Sequence, residues 1–123
     1  MAETILIVDD EPEMVEFLET LLSFKGYQTL DAYSGAEGLK KARQKHPDLI
    51  LLDLTLPDGD GMQILKTLRC EERTAGIPVL VVSGRDNPQA RMESLQAGAG
   101  AFLLKPYHPQ ALLDEIEEKL KKE

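Results

Sequence analysis

The sequence of 123 residues has little cysteine, few aromatic residues and no long apolar run. Its single cysteine, Cys70, cannot form an internal disulfide bond, so we expect a small buried or half-buried thiol in a reducing, cytoplasmic location. No apolar stretch approaches the roughly 20 residues of a membrane span, and the N-terminus lacks the features of a secretory signal. These absences argue against a disulfide-stabilised secreted domain and against membrane association.

Positive charge is also scarce in this chain. Lys and Arg number 14 against 22 Asp and Glu, which gives a formal net charge of −8. An acidic chain without a basic patch is a poor nucleic-acid binder, so we expect no direct contact with nucleic acid. The length predicts one domain over residues 1–123, because domains commonly contain roughly 100–150 residues.

Short apolar runs alternate with amphipathic segments, which indicates βα units around a parallel sheet. The predicted strands are residues 4–8, 27–33, 49–52, 77–82 and 101–104. The predicted helices begin near Pro12, Ser34, Met62, Pro88 and Pro109. Gly26 is expected to end the first helix, and Ser34 to cap the second. Pro57, Gly59 and Gly61 predict a turn after the third strand. The fold class is therefore α/β, with five strands and five helices.

Polar residues stand where four of the predicted strands end. Asp9 and Asp10 follow the first strand, Asp53 the third, Ser83 the fourth and Lys105 the fifth. In an open parallel sheet the carboxyl ends of the strands lie along one edge, and ligands bind there. We therefore expect three carboxylates, a hydroxyl and an ammonium group to converge at this edge.

Three carboxylates at one edge repel one another, which raises the pKa of at least one of them. A hard divalent cation relieves the repulsion, and oxygen ligands without His or Cys point to Mg²⁺ or a similar ion. A carboxylate beside a metal can attack phosphorus and form an acyl phosphate. Mg²⁺, Lys105 and the Ser83 hydroxyl could each take one equatorial oxygen of a phosphoryl group. The pattern predicts a phosphoryl-transfer site.

Four segments of the chain carry a family resemblance. They are Ile7–Pro12 (IVDDEP), Pro47–Gly61 (PDLILLDLTLPDGDG), Pro78–Gly84 (PVLVVSG) and Ala97–Tyr107 (AGAGAFLLKPY). In this order and spacing they resemble the receiver domains of two-component response regulators over nearly the whole chain. The resemblance implies a flavodoxin-like, doubly wound fold with a five-stranded parallel sheet in strand order 2-1-3-4-5.

The resemblance also implies roles for residues at the strand ends. Asp53 corresponds to the phosphoacceptor, and Lys105 to the residue that contacts the phosphoryl oxygens. Asp9 and Asp10 correspond to metal-site carboxylates, with Asp10 the more direct ligand. Together with Asp53 and the backbone carbonyl of Thr55, they would hold Mg²⁺.

Three further positions match residues that act in switching. Ser83 corresponds to the hydroxyl that turns toward the phosphoryl group, and Phe102 to the aromatic residue that turns inward with it. The Lys105–Pro106 peptide bond is expected to be cis. Members of the family take the phosphoryl group from a phosphohistidine of a sensor histidine kinase or a histidine phosphotransfer protein. They catalyse only their own phosphorylation and dephosphorylation, so we do not expect this chain to act as an enzyme on a separate substrate.

The expected output surface comprises the fourth helix, the fifth strand and the fifth helix. Gly100 and Ala101 stand where members that dimerise through this surface carry acidic residues, and the last helix lacks the arginines of those dimers. We therefore expect a monomer that binds an output domain or partner protein through this surface. We expect its small residues, at positions 97–101, to lie near Tyr107.

Two other functions use the same constellation. An aspartyl-nucleophile phosphohydrolase usually has a second aspartate two residues beyond the nucleophile, where this chain has Thr55. A receiver-like scaffold that works without phosphorylation would be favoured by the loss of a key acid, and none is lost. The chain fits either a stand-alone regulator or a segment of a longer regulator or hybrid kinase.

Overall fold

The computed structural model describes residues 2–56, 59–84 and 88–121. The chain alternates strands and helices, as the sequence predicts. The strands are β1 (Thr4–Val8), β2 (Gln28–Ala32), β3 (Leu49–Asp53), β4 (Thr55–Leu56), β5 (Gly59–Asp60), β6 (Val79–Ser83) and β7 (Ala101–Leu104). The helices are α1 (Pro12–Phe24), α2 (Gly35–Lys45), α3 (Gly61–Cys70), α4 (Pro88–Gln96) and α5 (Pro109–Leu120).

Five of the strands form one parallel sheet in the order β2-β1-β3-β6-β7. This arrangement confirms the predicted flavodoxin-like order 2-1-3-4-5, because β6 and β7 are the fourth and fifth predicted strands. The short strands β4 and β5 form a separate antiparallel pair. The sequence pattern predicts only a turn here, since strands of two residues are too short to show a periodicity. Pro57, which belongs to that predicted turn, lies outside the described residues.

The apolar strands are covered on both faces, which explains their continuous apolar sequences. Successive side chains of a strand point to opposite faces. On β1, Leu6 and Val8 pack in a cluster with residues of α2 and α3, whereas Ile5 and Ile7 pack with residues of α1 and α5. None of the helices in the described part of the chain has the length and apolar character that a bilayer span requires.

The helix ends confirm two of the local predictions. The Ser34 hydroxyl caps α2 by accepting a hydrogen bond from the Glu37 amide at 3.1 Å. Gly26 follows α1 with a φ of 92°, a left-handed conformation that favours glycine. Cys70 is exposed at the end of α3, so the prediction of a buried or half-buried thiol was wrong. The apolar face of α3 is occupied by Met62, Leu65 and Leu68, which leaves Cys70 on the solvent side.

Tyr107 lies on the same side of the sheet as only some of the small residues expected near it. Its ring packs with the cluster under α1 and α5, and its hydroxyl lies 3.9 Å from the sulfur of Met14. Ala97 and Ala99 pack in the cluster on the other face of the sheet. Ala101, by contrast, belongs to the same cluster as Tyr107, so the small residues are divided between the two faces of the sheet.

Candidate functional site

The polar residues predicted from the strand ends do converge at the carboxyl edge of the sheet. Asp53 is the last residue of β3 and Ser83 the last of β6, while Asp9 follows β1 at once. Lys105 follows β7, and its amide donates to the Ser83 carbonyl at 2.7 Å. The parallel register thus places the four side chains at neighbouring strand ends.

The ammonium group of Lys105 lies between carboxylates. Its Nζ is 3.2 Å from Asp53 Oδ2 and 3.3 Å from Asp9 Oδ2. A third carboxylate, that of Glu11, lies 3.8 Å from the same nitrogen. Asp53 is only 3% exposed and Asp9 is also buried, so two of these ion pairs are shielded from solvent. Such pairs are screened by salt much less than surface pairs.

Burial is the main cause of the raised pKa of Asp9, and repulsion from Asp53 adds to it. The Glu11 amide, which donates to Asp9 Oδ1 at 2.9 Å, and the charge of Lys105 counteract this rise without cancelling it. The sequence pattern predicts a raised pKa from repulsion alone. Desolvation proves to be the larger effect, because Asp9 is only 4% exposed.

Burial by itself would lower the pKa of Lys105. The attraction of Asp53 and Asp9 outweighs that effect, so the pKa of Lys105 is raised. Lys105 therefore carries a positive charge at neutral pH. This charge remains available to bind an anionic group that reaches Asp53.

Three carboxylates of the site are close enough to share a cation. One oxygen from each of Asp9, Asp10 and Asp53 can be chosen so that all three lie within 4.8 Å of one another. Asp10 is exposed whereas the other two are buried, so the cluster opens to solvent on the side of Asp10. These residues could hold a divalent cation with oxygen ligands and leave it partly hydrated, which suits a hard ion.

The two predicted switch residues lie next to this cluster. Ser83 is fully buried at the end of β6. Phe102 is 8% exposed and belongs to the cluster on the α3 and α4 side of the sheet. Its ring is therefore already packed inward, although the resemblance implies an inward turn on phosphorylation. The Lys105–Pro106 peptide bond is cis, which is the conformation that the resemblance implies.

Two features of the site were not predicted. One is the contact of Glu11 with Lys105, because these two residues lie far apart in the sequence. The other is an open apolar groove of about 390 Å³ beside Lys105, lined by Met14, Phe17, Pro106, Tyr107 and Pro109. The exposed ring of Phe17 on α1 could have suggested the groove, but an aromatic residue at helical spacing is more often part of a core.

The sheet order, the buried aspartates and the lysine together define a receiver-type α/β domain. The profile of the response regulator receiver domain family matches residues 5–117, and the chain belongs to this family. It is therefore a domain of two-component signal transduction.

Individual relatives agree with this assignment. The chain is 36% identical over 118 residues to the DNA-binding dual master transcriptional regulator RpaA of Synechocystis. The aligned region covers 96% of this chain and 49% of RpaA. It is 35% identical over 117 residues to the phosphate regulon transcriptional regulatory protein PhoB of Escherichia coli, with 95% and 51% covered. It therefore spans about half the length of these relatives. A CheY-like response regulator receiver domain protein from Methanospirillum hungatei superposes with a TM-score of 0.91 at 34% identity, with 98% and 94% covered.

Proposed function

We propose that this domain accepts a phosphoryl group on Asp53 in a Mg²⁺-dependent reaction and transmits the change to an output partner. The observation that carries the proposal is the position of Lys105, whose Nζ lies 3.2 Å from Asp53 Oδ2 inside a cluster of three carboxylates. A buried carboxylate held by an ammonium group is positioned to act as a nucleophile on phosphorus. The donor would be a phosphohistidine of a sensor histidine kinase or a histidine phosphotransfer protein.

In this reaction an oxygen of Asp53 forms a bond to phosphorus while the phosphorus–nitrogen bond to the donor imidazole breaks. The electron pair of that bond stays on the imidazole, and the product is an acyl phosphate. Lys105 would neutralise charge on one phosphoryl oxygen, and the Ser83 hydroxyl would donate to another. Asp9, Asp10, Asp53 and the Thr55 carbonyl would hold Mg²⁺, which when bound supplies charge neutralisation at the phosphoryl group.

We propose that the domain catalyses only its own phosphorylation and dephosphorylation. An aspartyl-nucleophile phosphohydrolase usually has an acid–base aspartate two positions after the nucleophile, and Thr55 stands there. A phosphorylation-independent scaffold gains no support either, because every acid that phosphorylation needs lies in the cluster. Signalling inside a cytoplasmic phosphorelay is the function that fits the site.

The output partner would bind on the α4–β7–α5 surface. On α4, Met92 is 62% exposed and Leu95 is 44% exposed, and Leu104 at the end of β7 is also exposed. These apolar side chains are available for contact with a separate or tethered partner. Because RpaA is named as a DNA-binding transcriptional regulator, a tethered DNA-binding domain is the first output to test.

The phosphodonor protein would bind at the apolar groove beside Lys105. Its phosphohistidine must reach Asp53, whose carboxylate lies 3.2 Å from the Lys105 ammonium group. An apolar groove next to a charged centre provides contact area for a protein donor while the charged groups align the phosphoryl group.

The test of this function is incorporation of phosphoryl at Asp53. The protein is incubated with acetyl phosphate and Mg²⁺, and the mass of the tryptic peptides is measured. We expect the added mass on the peptide that contains Asp53 and none in Asp53→Asn. Asp114→Asn, which removes an exposed carboxylate of α5, should behave as wild type. Labelling of Asp53→Asn at the wild-type rate would refute the assignment.

A further inference from the structure

Glu11 places a fourth carboxylate at the mouth of the phosphorylation site. It is the residue that precedes α1, and its amide is tied to Asp9 Oδ1 at 2.9 Å. Its side chain makes no capping hydrogen bond to the helix. Instead Oε1 lies 3.8 Å from the Nζ atom of Lys105, while the side chain remains 65% exposed. The hydrogen bond of its amide thus holds a solvent-facing negative charge beside Lys105.

The charges around the site explain why this position matters. Asp9 and Asp53 are partly neutralised by Lys105, and a divalent cation, when one is bound, would neutralise these two together with Asp10. Glu11 shares Lys105 with the two buried aspartates but lies farther from its nitrogen than either of them. Glu11 is also not one of the three carboxylates that could share the cation, so its charge is the least compensated one once the cation is bound, and it faces the solution from which a phosphodonor arrives.

We propose, on the basis of the phosphoacceptor function above, that Glu11 is a specificity-determining residue which slows phosphorylation by free dianionic phosphodonors. A free dianion meets the carboxylate of Glu11 on its way to Asp53 and is repelled. A donor with less negative charge is repelled less, and a protein donor can bring a compensating cation to Glu11. Two charges that approach within several ångströms at a wet surface change a rate by about threefold to tenfold, and salt reduces this effect.

A simpler role for Glu11 would be stabilisation of the N-terminus of α1, where negative charge is favourable. Glu13 lies in the first turn of the same helix, is exposed, and has no ion pair among the described contacts of Lys105. Glu13→Gln therefore makes the same change in net charge near the same helix end without touching the site. It is the matched control for Glu11→Gln.

The experiment compares two small donors at saturating Mg²⁺. With acetyl phosphate, the bond between Asp53 and phosphorus forms as the phosphorus–oxygen bond to acetate breaks. With phosphoramidate, which carries about one negative charge fewer at neutral pH, the phosphorus–nitrogen bond breaks and ammonia leaves, its nitrogen already protonated. Initial rates of Asp53 labelling are measured for wild type, Glu11→Gln, Glu11→Lys and Glu13→Gln at low and high ionic strength.

We expect Glu11→Gln to accelerate labelling by acetyl phosphate about threefold to tenfold at low ionic strength, and Glu11→Lys to accelerate it further. Labelling by phosphoramidate should rise less, both gains should shrink at high salt, and Glu13→Gln should match wild type. An equal gain with both donors, or a gain that high salt leaves unchanged, would show that Glu11 only restrains Lys105 and would overturn the proposal. Unchanged rates in the Glu11 variants would overturn it while leaving the phosphoacceptor function intact. Absence of label on wild-type Asp53 would overturn both.

Discussion

The guanidinium group of Arg91 on α4 lies over the ring of Phe102 on β7, with its Cζ atom 5.8 Å from the ring centroid. A cation at this distance from an aromatic face is attracted to it. The contact joins α4 to the residue that the family resemblance assigns as the aromatic switch. Because the ring is already buried beneath α4, a response to phosphorylation would involve movement of α4 together with the ring rather than entry of an exposed ring.

Ser83→Ala is expected to accept phosphoryl on Asp53 but to lose most of the conformational response. The hydroxyl is the group that would link a phosphoryl oxygen to the end of β6, and without it the bias between two states of the domain disappears. The response is measured as phosphorylation-induced NMR shifts of the Phe102 ring and of the amides of residues 88–100.

Thr74→Val provides the control for that experiment. It also removes a buried hydroxyl, but Thr74 lies beyond the end of α3, away from the site. Its hydroxyl donates to the Leu68 carbonyl at 2.7 Å. This variant should keep the wild-type response. Shifts of equal size in wild type and Ser83→Ala would contradict the coupling.

Gly61 begins α3 directly beneath the loop that follows Asp53. A Cβ atom at this position would lie 2.5 Å from the Leu54 Cα and 2.7 Å from the Asp53 carbonyl oxygen. These are backbone atoms, so they cannot move aside as a flexible side chain would. We expect Gly61→Ala to lower the free energy of unfolding by about 1–3 kcal/mol, and to slow phosphorylation because the Asp53 backbone is displaced.

Urea denaturation of Gly61→Ala and Gly76→Ala separates crowding from a general effect of alanine. A Cβ atom on Gly76 would meet nothing within 4 Å. Gly76→Ala should therefore match wild type or be more stable by up to about 1 kcal/mol, since alanine reduces the freedom of the unfolded chain. If both variants have the same stability and the same phosphorylation rate, close approach at Gly61 is not important.

Mg²⁺ is expected to bind weakly and to be required for phosphorylation. The ion keeps several waters and uses few protein carboxylates, so a modest affinity follows. A cation that binds only the folded state raises the midpoint of thermal unfolding as its concentration rises. Asp10→Asn should abolish most of this rise, whereas Glu13→Gln should retain it. Phosphorylation that proceeds unchanged in the presence of a chelator would show that the metal is not needed.

The domain is expected to remain largely monomeric when activated. The α4–β7–α5 surface presents the apolar side chains Met92 and Leu95, and the described residues of α5 (Pro109–Leu120) include no arginine that could pair with acidic residues of a second copy. Light scattering with and without fluoroberyllate, a mimic of the phosphoryl group, measures the mass in solution. A stable dimer at micromolar concentration in the presence of fluoroberyllate would refute the expectation and favour an output through self-association.

The local elements of the fold were accessible from sequence because each has a local cause. Ser34 caps a helix through a hydrogen bond within its own turn, and Gly26 ends one through its own left-handed backbone. The exposure of Cys70 could not be predicted, because a residue at the end of a helix can lie on either side of the apolar stripe. The antiparallel pair β4–β5 was missed for the related reason that four residues carry no readable period.

The sequence alone determined which residues stand at the carboxyl ends of the strands, and hence that Asp9, Asp53 and Lys105 belong to one site. A buried parallel strand is a continuous apolar run, so the first polar residue after it marks the edge of the sheet. Only the tertiary structure decided which of these groups touch. Lys105 contacts Asp53 and Asp9, which lie 52 and 96 residues away in the sequence. Its contact with Glu11 depends on the path that the chain takes from the end of β1 to the start of α1. Contacts of this kind are set by strand register and by the packing of helices on the sheet, and no local pattern in the sequence encodes distances of 3 to 4 Å between such remote segments.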